Sequence, residues 1–234
     1  MARDVATKSD GDAIARSSAS EIDAFLSKAK AAPKGPGTGR LVFALDATMS
    51  RQPTWDNAMM NQSRMFEAVD RVGSLDVQLV YFRGFRECRA SRWVSDTTSL
   101  RSLMERIDCR GGHTQLRKVL SHTAKEARKQ RVSALVFVGD AMEEKIDAVC
   151  ASAGELGMLG VPCFMFHEGR DPTAERAFRE VSRLTKGAYV RFGEGSAGKL
   201  ADLLAAVAAY SAGGLPALEK RGGEGSRRLL EQLR

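Results

Sequence analysis

At 234 residues the chain is long enough to bury one substantial core, and somewhat long for a single α/β domain. Apolar content of 43% and charged content of 28% exclude a disordered or fibrous protein. The formal charge of +7 is spread along the chain: residues 1–40 and 191–234 each hold seven Lys/Arg against five Asp/Glu, and the middle holds 22 against 19, so no concentrated basic arm marks a dedicated nucleic-acid binder.

The amino terminus lacks the apolar segment of a signal peptide. No run approaches the roughly 18 apolar residues of a spanning helix, so a cytoplasmic setting without a membrane is expected. Cys88, Cys109, Cys150 and Cys163 are scattered without a Cys-x-x-Cys pair, which points to reduced, mostly buried thiols.

Residues 1–39 read as a tail. It is polar and small at first, then helical over 18–31 with Ser20 as N-cap and Ile22, Phe25 and Leu26 on one face, and it is broken by the Pro/Gly stretch 33–39. The domain is expected over 40–214. It opens on Leu41-Val42-Phe43-Ala44-Leu45, a short apolar run that reads as a buried parallel strand and passes into Asp46-Ala47-Thr48-Met49-Ser50. Pro53 and Thr54 ahead of the periodic Trp55, Met59, Phe66 and Val69 predict a helix over 54–71.

A strand over 76–82, a turn at Arg83-Gly84-Phe85-Arg86 and a return over 87–94 predict a hairpin, with an antiparallel edge strand whose charges discourage edge pairing. Helical periodicity over 98–107 leads to the Gly111-Gly112 loop, and a second helix is expected over 114–129. Strands over 131–140, 161–167 and 188–192 then alternate with helices over 143–156, from 172 or 173 to 184, and over 196–212. Gly213, Gly214 and Pro216 are expected to end the domain. Residues 215–234 would be a tail with a short amphipathic helix or partner-binding segment over 226–233. The order predicts an α/β fold with a mostly parallel sheet covered on both faces.

Asp46, Thr48 and Ser50 fall at the carboxyl edge of the first strand, where open α/β sheets place their ligands. A carboxylate with hydroxyl oxygens suits Mg²⁺ or Mn²⁺ rather than zinc. Two further segments offer more oxygens: Thr114, after Gly111-Gly112-His113, and Asp140, at the end of an apolar strand. Asp-x-Thr-x-Ser, a later Thr and a later strand-end Asp together resemble the von Willebrand factor type A domain with its metal-ion-dependent adhesion site, over roughly residues 40–214.

The resemblance implies a Rossmann-like sheet of five parallel strands and one antiparallel edge strand. It further implies a divalent ion, Mg²⁺ or else Mn²⁺ or Ca²⁺, at Asp46, Thr48, Ser50, Thr114 and Asp140, completed by an Asp or Glu of a protein partner. A role as adaptor to an AAA+ or chaperone-like machine is implied in the same way. Thr48 stands where Ser is more often found, and Ala47 and Ala141 replace the residues often seen beside the motif Asp residues. Neutral hydroxyls leave such an ion Lewis-acidic toward an incoming carboxylate, and glycines at 111 and 112 let the second loop approach without a Cβ clash.

Met49, His113, Arg83 and Arg86 are the candidate partner contacts. The plainer readings are an Asx-turn or N-cap for Asp-x-Thr-x-Ser, a solvated edge strand for Arg83, Arg86, Arg89 and Arg92, and polar packing for His113, His122 and His167. The net charge and hairpin arginines also admit an RNA-associated protein. A metal-assisted phosphohydrolase is disfavoured, because no second Asp follows two residues after Asp46 and no Gly-x-x-x-x-Gly-Lys-Ser/Thr loop exists; an enzyme is not expected.

Overall fold

The structure is a computed structural model that describes residues 39–48, 50, 75–193 and 197–233. The expected helix over 54–71, Met49 and all but the last residue of the expected 1–39 tail lie outside the described residues.

The strands are β1 Gly39–Asp46, β2 Leu75–Arg83, β3 Glu87–Val94, β4 Ala134–Gly139, β5 Cys163–Glu168 and β6 Ala188–Phe192. The helices are α1 Thr97–Met104, α2 Leu116–Lys129, α3 Ile146–Met158, α4 Pro172–Thr185, α5 Ala197–Arg221 and α6 Gly223–Leu233. One six-stranded sheet runs in the order β3-β2-β1-β4-β5-β6. Among the described residues only β2 and β3 pair antiparallel, so the expected mostly parallel sheet with one antiparallel edge strand is what forms.

β1 is buried along its whole length because the alternation of a strand sends its side chains into two cores. Leu41, Phe43 and Leu45 join Val136, Phe164, Leu204 and Val207 on one face. Val42 and Ala44 join Leu120, Phe137, Val149 and Phe178 on the other. Local caps agree with this layering. Asp171 accepts from Ala174 N at 2.5 Å ahead of Pro172, and Asp96 accepts from Ser99 N at 2.6 Å. All four cysteines are free, and burial pushes the Cys88 thiol up to about 11 and Cys163 to about 12.

The expected boundary at Gly214 is corrected by the structure. α5 breaks there (φ 69, ψ −159), but the chain continues along the domain, and the described residues from Gly39 on form one compact unit. Leu218 and Leu229 are fully buried in the first core, Asp202 accepts from Gly225 N at 2.6 Å and pairs with Arg221 at 2.5 Å, and α6 reaches the free edge of β6. Gly213-Gly214 and Pro216 therefore turn the helix rather than end the fold. Pro216 lies early in the resumed helix, where an absent N–H is tolerated. Gly198–Arg221 is by length and composition apolar enough to cross a membrane, yet half of its most apolar stretch is buried in the domain, as in a core helix.

Candidate metal centre

β1 and β4 lie side by side while their connections leave in opposite directions, to β2 on one flank and β5 on the other. Their carboxyl ends therefore open a crevice at the topological switch point. Asp46 closes β1 and is fully buried. Gly139 closes β4 so near to it that a Cβ there would lie 3.7 Å from the Asp46 Cβ, and Asp140 follows directly.

Past the strand, Thr48 N donates to Asp46 Oδ1 at 2.8 Å, an Asx-turn that reverses the chain, and Thr48 Oγ1 stands 3.2 Å from Ser50 Oγ. The Asx-turn read from the sequence and the pairing of hydroxyls are thus one arrangement. The loop before α2 is drawn to this turn by the backbone: Arg110 N donates to Ala47 O at 3.0 Å, and Thr48 bridges to Arg110.

Thr114 is buried and locked to the loop after β4. Its N–H donates to Glu143 Oε2 at 2.9 Å, and its hydroxyl accepts from Glu143 N at 3.1 Å. Glu144 accepts from Arg117 N at 3.2 Å in the first turn of α2, where burial pushes its carboxyl above the usual range against the pull of those backbone N–H groups. Sequence reasoning took Glu143 only for the start of the next helix. It holds the backbone of a loop 29 residues away, and no spacing rule signals that.

The β2–β3 turn docks on the same loop. Gly84 has φ 59, and a Cβ at Gly112 would lie 2.1 Å from Gly84 O, so the close approach that demands glycine at 112 is to the hairpin backbone. Gly111 has nothing within 4 Å of its Cβ position. His113 N donates to Gly84 O at 3.2 Å, and the Gln115 amide reaches the carbonyls of Arg83, Gly84 and Glu87 at 3.4, 3.4 and 3.2 Å.

Of the residues singled out as partner contacts, Arg83 is 8% exposed and turned inward, with Nε on Glu87 at 3.1 Å and Nη1 on Asp108 O at 3.0 Å. Arg86 and His113 are exposed. Arg89 also pairs with Glu87, and Arg110 with Asp108, so two carboxylates are shared among three arginines. His122 bonds Gln78 Oε1 at 2.8 Å and the fully buried His167 bonds Tyr189 Oη at 2.8 Å; burial lowers the pKa of both rings.

The donor set fits a hard cation by two observations. Adjacent oxygens around Mg²⁺ at its usual bond length lie about 2.9 Å apart, close to the 3.2 Å between the Thr48 and Ser50 hydroxyls. Asp140 Oδ1 is buried without a hydrogen-bond partner among the described residues, which for a carboxylate oxygen is costly unless a cation or water meets it. No group of three or more His, Cys, Asp and Glu side chains that could hold a metal occurs among the described residues.

The fold is an α/β domain whose sheet is covered by helices on both faces, with Asp46 and Asp140 at its switch point. It is the fold of the von Willebrand factor type A domain. An aerotolerance-related membrane protein from Bacteroides fragilis superposes with TM-score 0.54 at 19% identity, over 72% of this chain and 98% of that one. The SpRpn10 VWA domain does so with TM-score 0.50 at 13% identity, over 67% and 88%. The vWF domain of the type V pili tip protein Mfa5 from Porphyromonas gingivalis gives 0.57 at 9% identity, over 72% and 93%. No protein-family model and no curated protein matches the sequence, so the likeness is one of fold.

Proposed function

We propose that the protein is a metal-dependent protein-interaction module. Asp46, Thr48, Ser50, Thr114 and Asp140 hold a divalent cation, Mg²⁺ in the first place and Mn²⁺ or Ca²⁺ as alternatives, and a partner's Asp or Glu completes its coordination. When bound, the cation supplies a Lewis-acidic position for an external carboxylate. The observation that carries the reading is the Thr48–Ser50 hydroxyl pair, 3.2 Å apart, at the switch point where the buried Asp140 oxygen, unpartnered among the described residues, also lies.

The chain's own residues act as a frame. Asp46 fixes the Thr48 backbone, and Glu143 fixes Thr114 from the opposite loop. Neutral hydroxyls bring oxygen without charge, which leaves affinity for a carboxylate from outside. That a pili tip protein carries the same fold supports a protein-interaction use. A cytoplasmic adaptor that presents a partner to a larger machine is the setting we favour.

Thermal unfolding of the metal-stripped chain, with and without millimolar Mg²⁺, Mn²⁺ or Ca²⁺, tests the reading. A ligand at a hundred times its Kd stabilises by about 2.7 kcal/mol, a shift of several degrees. Asp46→Ala and Thr48→Val should abolish the shift while the chain still folds. A wild-type melting temperature indifferent to all three ions overturns the proposal.

A further inference from the structure

The tip of the β2–β3 hairpin leaves Phe85 73% exposed on a turn otherwise held from beneath. Gly112 backs onto Gly84, the Gln115 amide ties the turn's carbonyls, and Lys118 Nζ donates to Arg86 O at 2.9 Å. A solvent-facing turn gains nothing in stability from a large apolar ring left in water, and here the backbone beneath that ring is pinned.

The ring meets His113 edge-on, with centroids 5.2 Å apart and planes at 66°. His113 directly precedes Thr114, so the aromatic pair adjoins the candidate metal centre. Beside it, Arg86 and Lys118 have no carboxylate partner among the described residues, whereas Arg83, Arg89 and Arg110 share the two carboxylates of Glu87 and Asp108. Rigid aromatic anchors within a polar surround are where binding energy concentrates at protein interfaces.

We propose that Phe85 and His113 form the apolar half of a docking surface for a protein segment in which a large apolar side chain lies next to the Asp or Glu that reaches the metal centre, and a second acidic residue faces Arg86 and Lys118. The proposal rests on the metal-dependent reading and names the partner's chemistry. A single aromatic pair suits such a peptide better than a nucleic acid, which calls for successive stacking rings along a cationic groove.

The test selects from a phage-displayed library of random peptides on the full chain in Mg²⁺, then titrates the selected pool against wild-type, Phe85→Ala and Arg86→Glu chains. The pool should carry an acidic residue beside a large apolar one. Phe85→Ala should weaken its binding about tenfold or more. Arg86→Glu should weaken peptides with a second acidic residue more than those without. Both variants should keep the wild-type Mg²⁺-linked rise in melting temperature, which separates loss of docking from loss of the metal centre or the fold. An empty selection, a pool lacking either residue type, or a pool that binds Phe85→Ala as tightly as wild type overturns the docking proposal. If the wild-type chain still shows its Mg²⁺-linked rise in that case, the metal-dependent reading stands without it. A random RNA pool that binds through Phe85 in EDTA and displaces the peptides overturns it in favour of a nucleic-acid surface.

Discussion

At one edge of the sheet β3 leaves Arg89, Ala90 and Arg92 exposed, and at the other β6 lies under α6 with its backbone paired to a side chain. On the β3 side a bulge between Gln78 and Val80 breaks the ladder. Gln78 Nε2 on Ser91 O at 3.0 Å and Leu79 N on Ser91 Oγ at 3.0 Å replace the lost bonds. On the β6 side Gln232 imitates a strand: its Oε1 accepts from Tyr189 N at 2.8 Å and its Nε2 donates to Tyr189 O at 3.0 Å. One edge is guarded by charge and distortion, and the other is sealed. The sealed edge contributes stability, and the open one is free to lead, through its turn, to the candidate site.

That division can be broken experimentally. Leu229→Ala should cost the most, about 2–5 kcal/mol in denaturant unfolding, because it empties a fully buried place under α6. It should leave the Mg²⁺ response of the remaining folded protein intact. Gln232→Ala should cost about 1–2 kcal/mol by leaving the Tyr189 peptide to water, measured in the same way. Large effects from hairpin substitutions and none from these two would reverse the assignment of the edges.

Glu143→Ala should cost about 1 kcal/mol or less, since it removes one acceptor from Thr114 N, yet it should reduce the Mg²⁺-linked thermal shift by loosening Thr114. Equal metal shifts in mutant and wild type would detach the two loops from one another. The smallest effect is a pH limb. The hydrogen bond from Arg83 holds Glu87 below its ordinary value of 4.5, so the pair's contribution is present above that value and is lost as pH falls through the lower folded one. Glu87→Gln should flatten that acid limb of a melting-temperature profile. An unchanged limb would show that the hairpin ion pairs add nothing to stability.

The central fold was legible because alternation and short apolar runs report burial directly. Residues 134–139 and 188–192 are each too short and too apolar for anything but an interior or edge strand. The end of the domain was misread for a local reason. Gly213-Gly214 and Pro216 carry every signal of a helix stop, and only the contacts of Leu218 and Leu229 with the core show the helix resuming. The glycine at 112 was assigned to a loop approaching an ion, whereas the close neighbour is the backbone of Gly84, 28 residues earlier. The pattern of Asp46, Thr48, Ser50, Thr114 and Asp140 was readable as a set of hard oxygens. The inward turn of Arg83 was not, because a charged residue at a hairpin end looks the same in sequence whether it faces water or Asp108.

By itself the amino-acid sequence determined which stretches are strands, which of their ends carry oxygen-bearing side chains, and that helices cover both faces. These follow from local periodicity and from the few places a strand can end in polar residues. Only the tertiary structure decided that Glu143 grips Thr114, that α6 seals β6, and that Phe85 is held out into solvent beside the crevice. Each of these depends on a contact between residues far apart in the chain, and such contacts exist only once the sheet order has brought the loops together.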